Sequence, residues 1–159
     1  MQIEYLTNTT EDLGQVIIIF ENELARIPYY NQLAKDQEKE HYNRTNLISK
    51  INNDPKSIII AKDKGKVVGL CFNRFDDYTI WLEWIITGEN NIRTGIGKML
   101  LEKLFESTKE RKCHKVWCDC RTDNTISKSF LIKNGFTMIC EIKKHWYQQD
   151  FILLEKSIK

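Results

Sequence analysis

The sequence is poor in the features that mark disordered, membrane-spanning or secreted proteins. Only two prolines and seven glycines occur among 159 residues, too few for a low-complexity or linker-rich chain. The apolar run Val16–Phe20 is far shorter than the roughly 20 residues that span a bilayer, and no basic segment precedes it as in a signal peptide. We therefore expect a single domain over residues 1–159, a cytoplasmic location and no membrane partner.

Charge and cysteine content argue against two further classes of protein. Lysine and arginine exceed aspartate and glutamate by only 24 to 22, a net charge of +2. So small an excess does not indicate a nucleic-acid partner, and basic residues are not interleaved with the aromatic ones. The five cysteines are an odd number in a chain without an export signal, which favours reduced thiols over disulfides.

The pattern of apolar residues predicts an α/β (α+β) chain with hairpin strands first and strand–helix–strand units later. The expected strands are Gln2–Thr7, Ser57–Asp63, Lys66–Phe72, Tyr78–Thr87, Lys115–Cys120, Thr137–Lys143 and Asp150–Lys156. The first expected helix is capped by Thr9 or Thr10, has Glu11 and Asp12 in its first turn and carries an apolar run from Leu13 to Ile27. The others are a region from about Tyr30 to Ile51, interrupted by the charge run Asp36–Glu40; Lys98–Arg111; and a helix through Lys133 that Asp123 or Asn124 caps. Lys64-Gly65 predicts a hairpin turn and Asn134-Gly135 a helix end.

A turn-rich loop, Gly88–Gly97, connects a predicted strand directly to a predicted helix. The amide groups of a first helical turn have no partner within the helix, so this arrangement can bind an anion. Gly95 and Gly97 allow the backbone to approach phosphate oxygens closely. The loop matches neither the Walker motif nor the dinucleotide fingerprint, and taken alone it also fits a tight connection without a ligand.

Two motifs together resemble the GNAT N-acetyltransferase superfamily. Ile92–Gly97 followed by KMLLEKL is similar to its acetyl-CoA loop, Q/R-x-x-G-x-G/A. Asn124–Ser127, Leu131 and Gly135-Phe136 follow its N-x-x-A-x-x-x-Y-x-x-x-G-F pattern in spacing. The resemblance extends over essentially the whole chain. It implies a GNAT-like mixed, mostly antiparallel sheet of about six to seven strands flanked by about four helices.

The same resemblance implies acetyl-CoA as co-substrate and no metal. The backbone of Ile85–Thr87 would hold the pantetheine arm, amides from Ile92 to Lys98 the pyrophosphate, and Asn124 would lie beside the pantetheine. The implied cofactor-binding residues are Ile85, Ile86, Thr87, Ile92, Arg93, Thr94, Gly95, Ile96, Gly97, Lys98 and Asn124. The implied acceptor is a small amine or a peptide amine, held by roughly Ile27–Tyr42 and Lys144–Phe151. A homodimer is a possible assembly.

Glu83 is the candidate catalytic base. Relatives often carry an acidic residue in this strand, and we expect its side chain to share the parity of Ile85 and Thr87. Neighbouring tryptophans would desolvate the carboxylate and raise its pKa. The alternative is a strand glutamate that faces solvent.

Leu131 occupies the position at which many relatives have a tyrosine that protonates the departing CoA thiolate. Leucine has no proton to donate. Tyr147 is the nearest hydroxyl candidate for that role in the C-terminal hairpin, and a purely structural tyrosine is the alternative.

These features predict an N-acetyltransferase in which a primary amine attacks acetyl-CoA directly in a ternary complex. Leu131 leaves open a non-catalytic acyl-CoA-binding module. Cys118 and Cys120 leave open a thiol or metal protein, although no nearby residues complete a four-ligand zinc site.

Overall fold

Seven strands and five α-helices form in the part of the chain that the computed structural model describes, residues 1–8 and 10–159. The strands are β1 (Gln2–Tyr5), β2 (Ile58–Asp63), β3 (Lys66–Asp76), β4 (Thr79–Thr87), β5 (Lys115–Arg121), β6 (Thr137–Ile142) and β7 (Phe151–Ser157). The helices are α1 (Thr10–Arg26), α2 (Gln32–His41), α3 (Arg44–Asn53), α4 (Ile96–Glu110) and α5 (Thr125–Lys133). Short 3-10 turns lie at Glu89–Asn91 and Trp146–Gln148.

The strands form one sheet in the order β1-β2-β3-β4-β5-β7-β6. All neighbouring strands are antiparallel except β4 and β5, which run parallel. The parallel pairing is short, because it joins only Thr79–Trp81 to Lys115–Trp117. Beyond these residues β4 and β5 separate, which leaves a gap in the middle of the sheet. The predicted mixed, mostly antiparallel sheet is confirmed.

Helices cover both faces of the sheet and produce two apolar clusters. One cluster packs α1 and α3 against the first strands, with Leu13, Phe20 and Leu47 buried. The other packs α4 against the sheet, with Leu100 and Leu104 buried. Burial of each such side chain contributes roughly 1.5–3 kcal/mol to the free energy of unfolding. Because helices pack on both faces of the sheet, β4 and β5 are held in place even where they no longer pair with each other.

Gly69 on β3 explains how α4 packs so closely on the sheet. A Cβ at this position would lie 2.8 Å from Cγ2 of Ile96, the first residue of α4. Only the absence of a side chain allows this approach, which positions the N-terminus of α4 beside β4.

Local signals account for the turns that the sequence predicts. Lys64 and Gly65 adopt φ values of 49° and 79° between β2 and β3, as a two-residue hairpin requires. The Asn124 side chain caps α5 by accepting a hydrogen bond from the Ser127 amide at 3.0 Å. Gly135 ends α5 with φ 89°.

The region between α1 and β2 differs from the prediction in where it divides. Helix α2 continues through the charge run Asp36–Glu40, and the break falls instead at Tyr42-Asn43. Asn43 begins α3 there, because its side chain accepts a hydrogen bond from the Asn46 amide at 2.9 Å. Because of this division, the described residues form five α-helices, whereas about four were expected. The predicted cap at Thr9 or Thr10 lies outside the described residues and side chains.

No helix within the described ranges is both long and apolar enough to cross a membrane.

Candidate active site

The gap between β4 and β5 contains a cavity of about 310 Å³, here called the strand-gap cavity. The edge of β4 that faces it has no strand partner beyond Trp81 among the described residues, so backbone amide and carbonyl groups are available to a ligand. Its lining comprises Glu23, Ile27, Tyr29, Tyr30, Leu82, Glu83, Trp84, Ile85, Ile86, Thr87, Ile92, Cys118, Asp119, Cys120, Arg121, Asn124, Ile126, Ser127, Phe130 and Leu131. The predicted residues Ile85, Ile86, Thr87, Ile92 and Asn124 are therefore brought together here.

The N-terminus of α4 lies at one side of this cavity. Gly95 occupies the N-cap position with φ 88°, and no side chain caps the helix there. The first intrahelical bond runs from the Met99 amide to the Gly95 carbonyl at 3.1 Å. The amides of Ile96, Gly97 and Lys98 are therefore free to bind an anion, which the helix dipole also favours.

Gly95 and Gly97 meet different surroundings. A Cβ at Gly95 would have no heavy atom within 4 Å, so the space over the loop is open. A Cβ at Gly97 would lie 3.2 Å from Cζ of Phe130 and 4.0 Å from Cγ2 of Thr87. Because Phe130 and Thr87 both line the strand-gap cavity, the loop backbone lies at the edge of that cavity.

The side chains of the predicted loop residues contribute less than their backbone. Arg93 through Lys98 do not line the strand-gap cavity. The Thr94 hydroxyl donates a hydrogen bond to the Asn91 carbonyl at 2.6 Å, which closes the loop upon itself. Lys98 is exposed and lies 3.7 Å from Glu102. Any phosphate bound here would be held mainly by the backbone.

This arrangement fits acetyl-CoA. Free amides at the start of α4 suit a pyrophosphate, and the unpaired edge of β4 suits the amides of a pantetheine arm. Ile92 and Ile126 line the strand-gap cavity yet are 58% and 82% exposed. Large apolar side chains left open at the edge of a cavity suit contact with a ligand.

A second cavity, of about 410 Å³, lies next to the first. All four tryptophans of the chain line it, and we call it the tryptophan cavity. The segments Ile27–Tyr42 and Lys144–Phe151, which the resemblance implies for acceptor binding, both contribute to it. Its lining comprises Tyr30, Glu38, His41, Tyr42, Arg74, Asp76, Trp81, Glu83, Trp84, Trp117, Asp119, Ile142, His145, Trp146, Tyr147, Phe151 and Leu153.

The two cavities meet at four residues that line both: Tyr30, Glu83, Trp84 and Asp119. We call these four residues the junction. A molecule in one cavity and a molecule in the other would both lie against these four residues.

The predicted base, Glu83, is at the junction, but its environment differs from the prediction. Phe72 pairs with Trp84 and Asn73 with Leu82, so Glu83 is the extra residue of a β-bulge. The bulge breaks the expected alternation. Ile85 packs on the α4 side of the sheet, whereas Glu83 contacts α3, and the predicted shared parity is wrong.

The Glu83 carboxylate is largely buried and forms an ion pair with Lys50 of α3. Its Oε2 lies 2.7 Å from Lys50 Nζ, and the two side chains are only 10% and 17% exposed. Breaking such a pair leaves an uncompensated buried charge. The neighbouring cation therefore gives Glu83 a structural partner that the sequence did not indicate.

The predicted Tyr147 lines only the tryptophan cavity. It has φ 55° within the 3-10 turn, and its hydroxyl donates a hydrogen bond to Glu38 Oε1 at 2.6 Å. Burial and the Glu38 charge both raise the pKa of Tyr147. The indole of Trp84 donates to the other Glu38 oxygen at 2.9 Å. Tyr147 thus holds Glu38 in place. The sequence did not single out this residue, because Glu38 lies within the charge run Asp36–Glu40, which was expected to face solvent.

Asp119 on β5 is the titratable junction residue that sequence reasoning missed. Burial, and then the charge of Glu38, raise its pKa to about 6, although a hydrogen bond from the Trp146 indole at 2.9 Å opposes the shift. A carboxyl group with such a pKa can accept a proton near neutral pH. One feature of the sequence could have indicated this residue: Asp119 lies between two cysteines of a predicted strand, and both cysteines are buried in the structure.

Leu131, the position that the resemblance assigns to a tyrosine, is buried and lines the strand-gap cavity. Hydroxyl groups of Tyr29, Tyr30, Thr87 and Ser127 line the same cavity. Burial raises the pKa of Tyr29 to about 12, so this hydroxyl keeps its proton at neutral pH.

The cysteines are poor candidates for covalent or metal chemistry. Cys118 and Cys120 are buried, and burial raises the pKa of both thiols, that of Cys120 to about 11. Thiols that stay protonated are weak nucleophiles and weak ligands. Within residues 1–8 and 10–159, no three His, Cys, Asp or Glu side chains cluster as a metal site would require.

Comparison with known proteins identifies the class. Residues 21–136 match the family model described as the acetyltransferase (GNAT) family, and the chain belongs to that family. It is therefore an acyltransferase that uses acetyl-CoA to acetylate an amine, as the paired motifs predict.

Solved structures with the same fold agree over nearly the whole chain. Ard1 from Thermoplasma volcanium matches with a TM-score of 0.78 and 18% identity, covering 99% of this chain and 97% of that one. The ribosomal-protein-alanine N-acetyltransferase of Brucella melitensis matches with a TM-score of 0.78, 19% identity and 99% coverage of both chains. PaiA N-acetyltransferase from Thermoplasma acidophilum, solved in complex with coenzyme A, matches with a TM-score of 0.77, 19% identity and 99% coverage of both chains.

Proposed function

We propose that the acceptor amine enters through the tryptophan cavity and attacks acetyl-CoA at the junction, without a covalent enzyme intermediate. One observation carries this proposal: two separate cavities share Tyr30, Glu83, Trp84 and Asp119. The strand-gap cavity offers free backbone groups and an anion site to the CoA, and the tryptophan cavity is left for the second substrate. Holding both reactants at one point makes the reaction effectively unimolecular.

Asp119 is the proposed general base. The amine arrives as an ammonium ion and must lose a proton before its nitrogen lone pair can attack. Asp119 accepts that proton, and the neutral nitrogen then attacks the acyl carbon, so that the N–C bond forms first and the C–S bond breaks when the tetrahedral intermediate collapses. The nitrogen gives up its second proton as the thiolate departs, and a proton delivered to the sulfur completes the CoA thiol. Acetyl-CoA supplies the activated acetyl group, and unpaired amides of β4 stabilise the negative charge that develops on the acyl oxygen.

The role that the sequence predicts for Glu83 stays a prediction. Its ion pair with Lys50 favours a different part in the same reaction, in which Glu83 and Lys50 hold the bulge of β4 that shapes the junction. The role predicted for Tyr147 also stays a prediction. Tyr29 and Tyr30, which share a cavity with Leu131, are better placed to return a proton to the departing thiolate.

Release of the CoA thiol tests the proposal. We expect purified protein with acetyl-CoA to release thiol in proportion to added primary amine, and mass spectrometry to detect the amine acetylated once. Acetyl-CoA binding without thiol release from any amine, including peptide amines, would overturn the proposal. That outcome would support the alternative of a non-catalytic acyl-CoA-binding module.

The homodimer and the cytoplasmic location stay predictions. The sheet ends in the edge strands β1 and β6. Met138 and Ile139 are exposed on β6, and this edge is the surface on which we would test pairing. If two copies join there, Ile139→Lys should lower the mass that light scattering measures to that of one chain. An unchanged mass would exclude this edge as the interface.

A further inference from the structure

The acidic residues of the tryptophan cavity fall into two groups. Glu83 is paired with Lys50 at 2.7 Å, and Asp76 lies 3.7 Å from Arg74. Glu38 and Asp119 have no cationic side chain within ion-pair distance among the described residues. The cavity therefore contains two carboxylates whose charge the protein itself does not neutralise.

Neutral donors hold both of these carboxylates in place. Glu38 accepts hydrogen bonds from the Tyr147 hydroxyl at 2.6 Å and the Trp84 indole at 2.9 Å. Asp119 accepts one from the Trp146 indole at 2.9 Å. Such donors fix the position of a carboxylate without cancelling its charge, which remains available to a cationic ligand.

The walls between these carboxylates are aromatic. Trp81 and Trp117 meet edge to face with centroids 4.7 Å apart, and Trp84 and Trp146 complete the set. Aromatic faces attract ammonium groups and also cover alkyl chains well. Such walls suit a ligand with an apolar middle and positive charge.

The two carboxylates differ in their position relative to the reaction. Asp119 lines both cavities and is at the junction, where the reacting nitrogen must lie. Glu38 lines only the tryptophan cavity, so it would contact a part of the acceptor that does not react.

We propose that the acceptor is a small alkyl diamine or polyamine, with its reacting nitrogen at Asp119 and a second ammonium group at Glu38. This inference rests on the proposed function, because it assumes that the tryptophan cavity binds the acceptor. Both nitrogens of such a molecule are protonated at neutral pH, which matches the two carboxylates. The cavity volume of about 410 Å³ lies within the range of small-molecule pockets.

A panel of matched substrates tests whether the acceptor carries a second ammonium group. It compares α,ω-diamines of three to six carbons and spermidine with the monoamine and the ω-amino acid of the same chain length. We expect kcat/KM for the best diamine to exceed that of its matched monoamine about 10- to 100-fold, the effect of a hydrogen bond to a charged group. The matched amino acid should be poorer still, because Glu38 repels its carboxylate.

Glu38→Gln then assigns the preference to one residue. This variant keeps the side-chain shape and should lower the ratio of diamine to monoamine kcat/KM to near 1. Glu40→Gln is the control, since Glu40 lies on the same helix, is exposed and lines neither cavity. The control should keep the wild-type ratio.

Three results would overturn this inference. One is a wild-type protein that uses monoamines as well as diamines, which leaves the proposed acetyl transfer intact. Another is Glu38→Gln with an unchanged ratio. The third is a basic peptide acetylated far better than any diamine. Absence of turnover with every amine would instead overturn the proposed function itself.

Discussion

For Asp119, the proposed general base, catalysis and stability favour different protonation states. Burial and the nearby Glu38 disfavour the charged form, which raises the pKa to about 6. A base must be charged to accept a proton, so the protein keeps at the junction a group that costs folding free energy at neutral pH.

The catalytic role predicts the pH dependence of the rate. We expect kcat/KM to rise with pH through about 6 as Asp119 ionises, and Asp119→Asn to lower kcat/KM at pH 7.5 by about 10²-fold, the usual effect of a positioned base. The variant should also lose the ascending limb near pH 6. Initial rates from pH 5 to 9 with one amine measure both effects.

Glu83→Gln is the decisive comparison for that prediction. Glu38, Glu83 with Lys50, and Tyr30 also face the region around Asp119. If Glu83→Gln removes the limb near pH 6 and Asp119→Asn keeps it, then Glu83 is the base that the sequence predicts and our assignment is wrong.

The same carboxylate predicts a change in stability. The folded-state pKa of Asp119, about 6, exceeds the ordinary value of 3.8. The favourable contribution of this side chain to the free energy of unfolding is therefore fully present below pH 3.8, and it is lost as pH rises through 6 and the buried carboxyl group ionises. Asp119→Asn should therefore raise the free energy of unfolding at pH 8 by up to about 3 kcal/mol, and by much less at pH 4. Urea denaturation at the two pH values measures the difference, and an equal effect at both would contradict the prediction.

At the scale of elements, the connection from β4 to α4 combines three backbone features. The end of β4 has no partner on its β5 side within the described residues, Gly95 turns with φ 88°, and α4 begins without a side-chain cap. Each leaves polar backbone groups unpaired, and a bound CoA would satisfy them.

Substitution of Gly95 tests this connection. We expect Gly95→Val to abolish measurable acetyl-CoA binding in calorimetric titration, because a branched side chain would fill the open space and disfavour the positive φ. Gly65→Val is the matched control. Gly65 lies in the β2–β3 turn with φ 79°, and a Cβ there would likewise have no heavy atom within 4 Å.

Both glycine variants should lose stability to a similar degree, roughly 1 kcal/mol or more for a side chain at positive φ. Only Gly95→Val should lose CoA binding, while Gly65→Val binds as the wild type does. If Gly95→Val retains wild-type affinity, the loop does not bind the CoA phosphates.

At the scale of the whole molecule, the sheet brings two cavities together at one gap. In the proposed function acetyl-CoA and the acceptor reach the junction from different cavities, so that both are bound at once. No residue needs to carry the acetyl group between them. Cys118 and Cys120, the thiols nearest the gap, have raised pKa values and are weak nucleophiles.

Direct transfer predicts the kinetic pattern. Initial rates with varied acetyl-CoA and amine should give intersecting lines, and Cys118→Ala and Cys120→Ala should each keep turnover within several-fold of the wild type. Circular dichroism would check that both variants fold. Parallel lines, or loss of transfer with intact CoA binding in either variant, would indicate a thioester on the enzyme.

The sequence alone determined the features that depend on neighbouring residues. Strand and helix patterns, the Lys64-Gly65 turn, the Asn124 cap and the loop around Gly95 are local, because backbone conformation and capping involve residues only a few positions apart. The family motifs are also local, and they were sufficient to predict the fold class and the co-substrate.

Only the tertiary structure decided how the carboxylates are used. The hydrogen bond from Tyr147 to Glu38 joins residues 109 positions apart, and that from Trp84 to Glu38 joins residues 46 apart. Neither the bulge at Glu83 nor its partner Lys50 leaves a signal in the strand sequence. Burial and charge pairing arise from the packing of distant segments around the gap. They leave Glu83 paired with Lys50, whereas Glu38 and Asp119, to which we assign cation binding and proton transfer, have no cationic partner among the described residues.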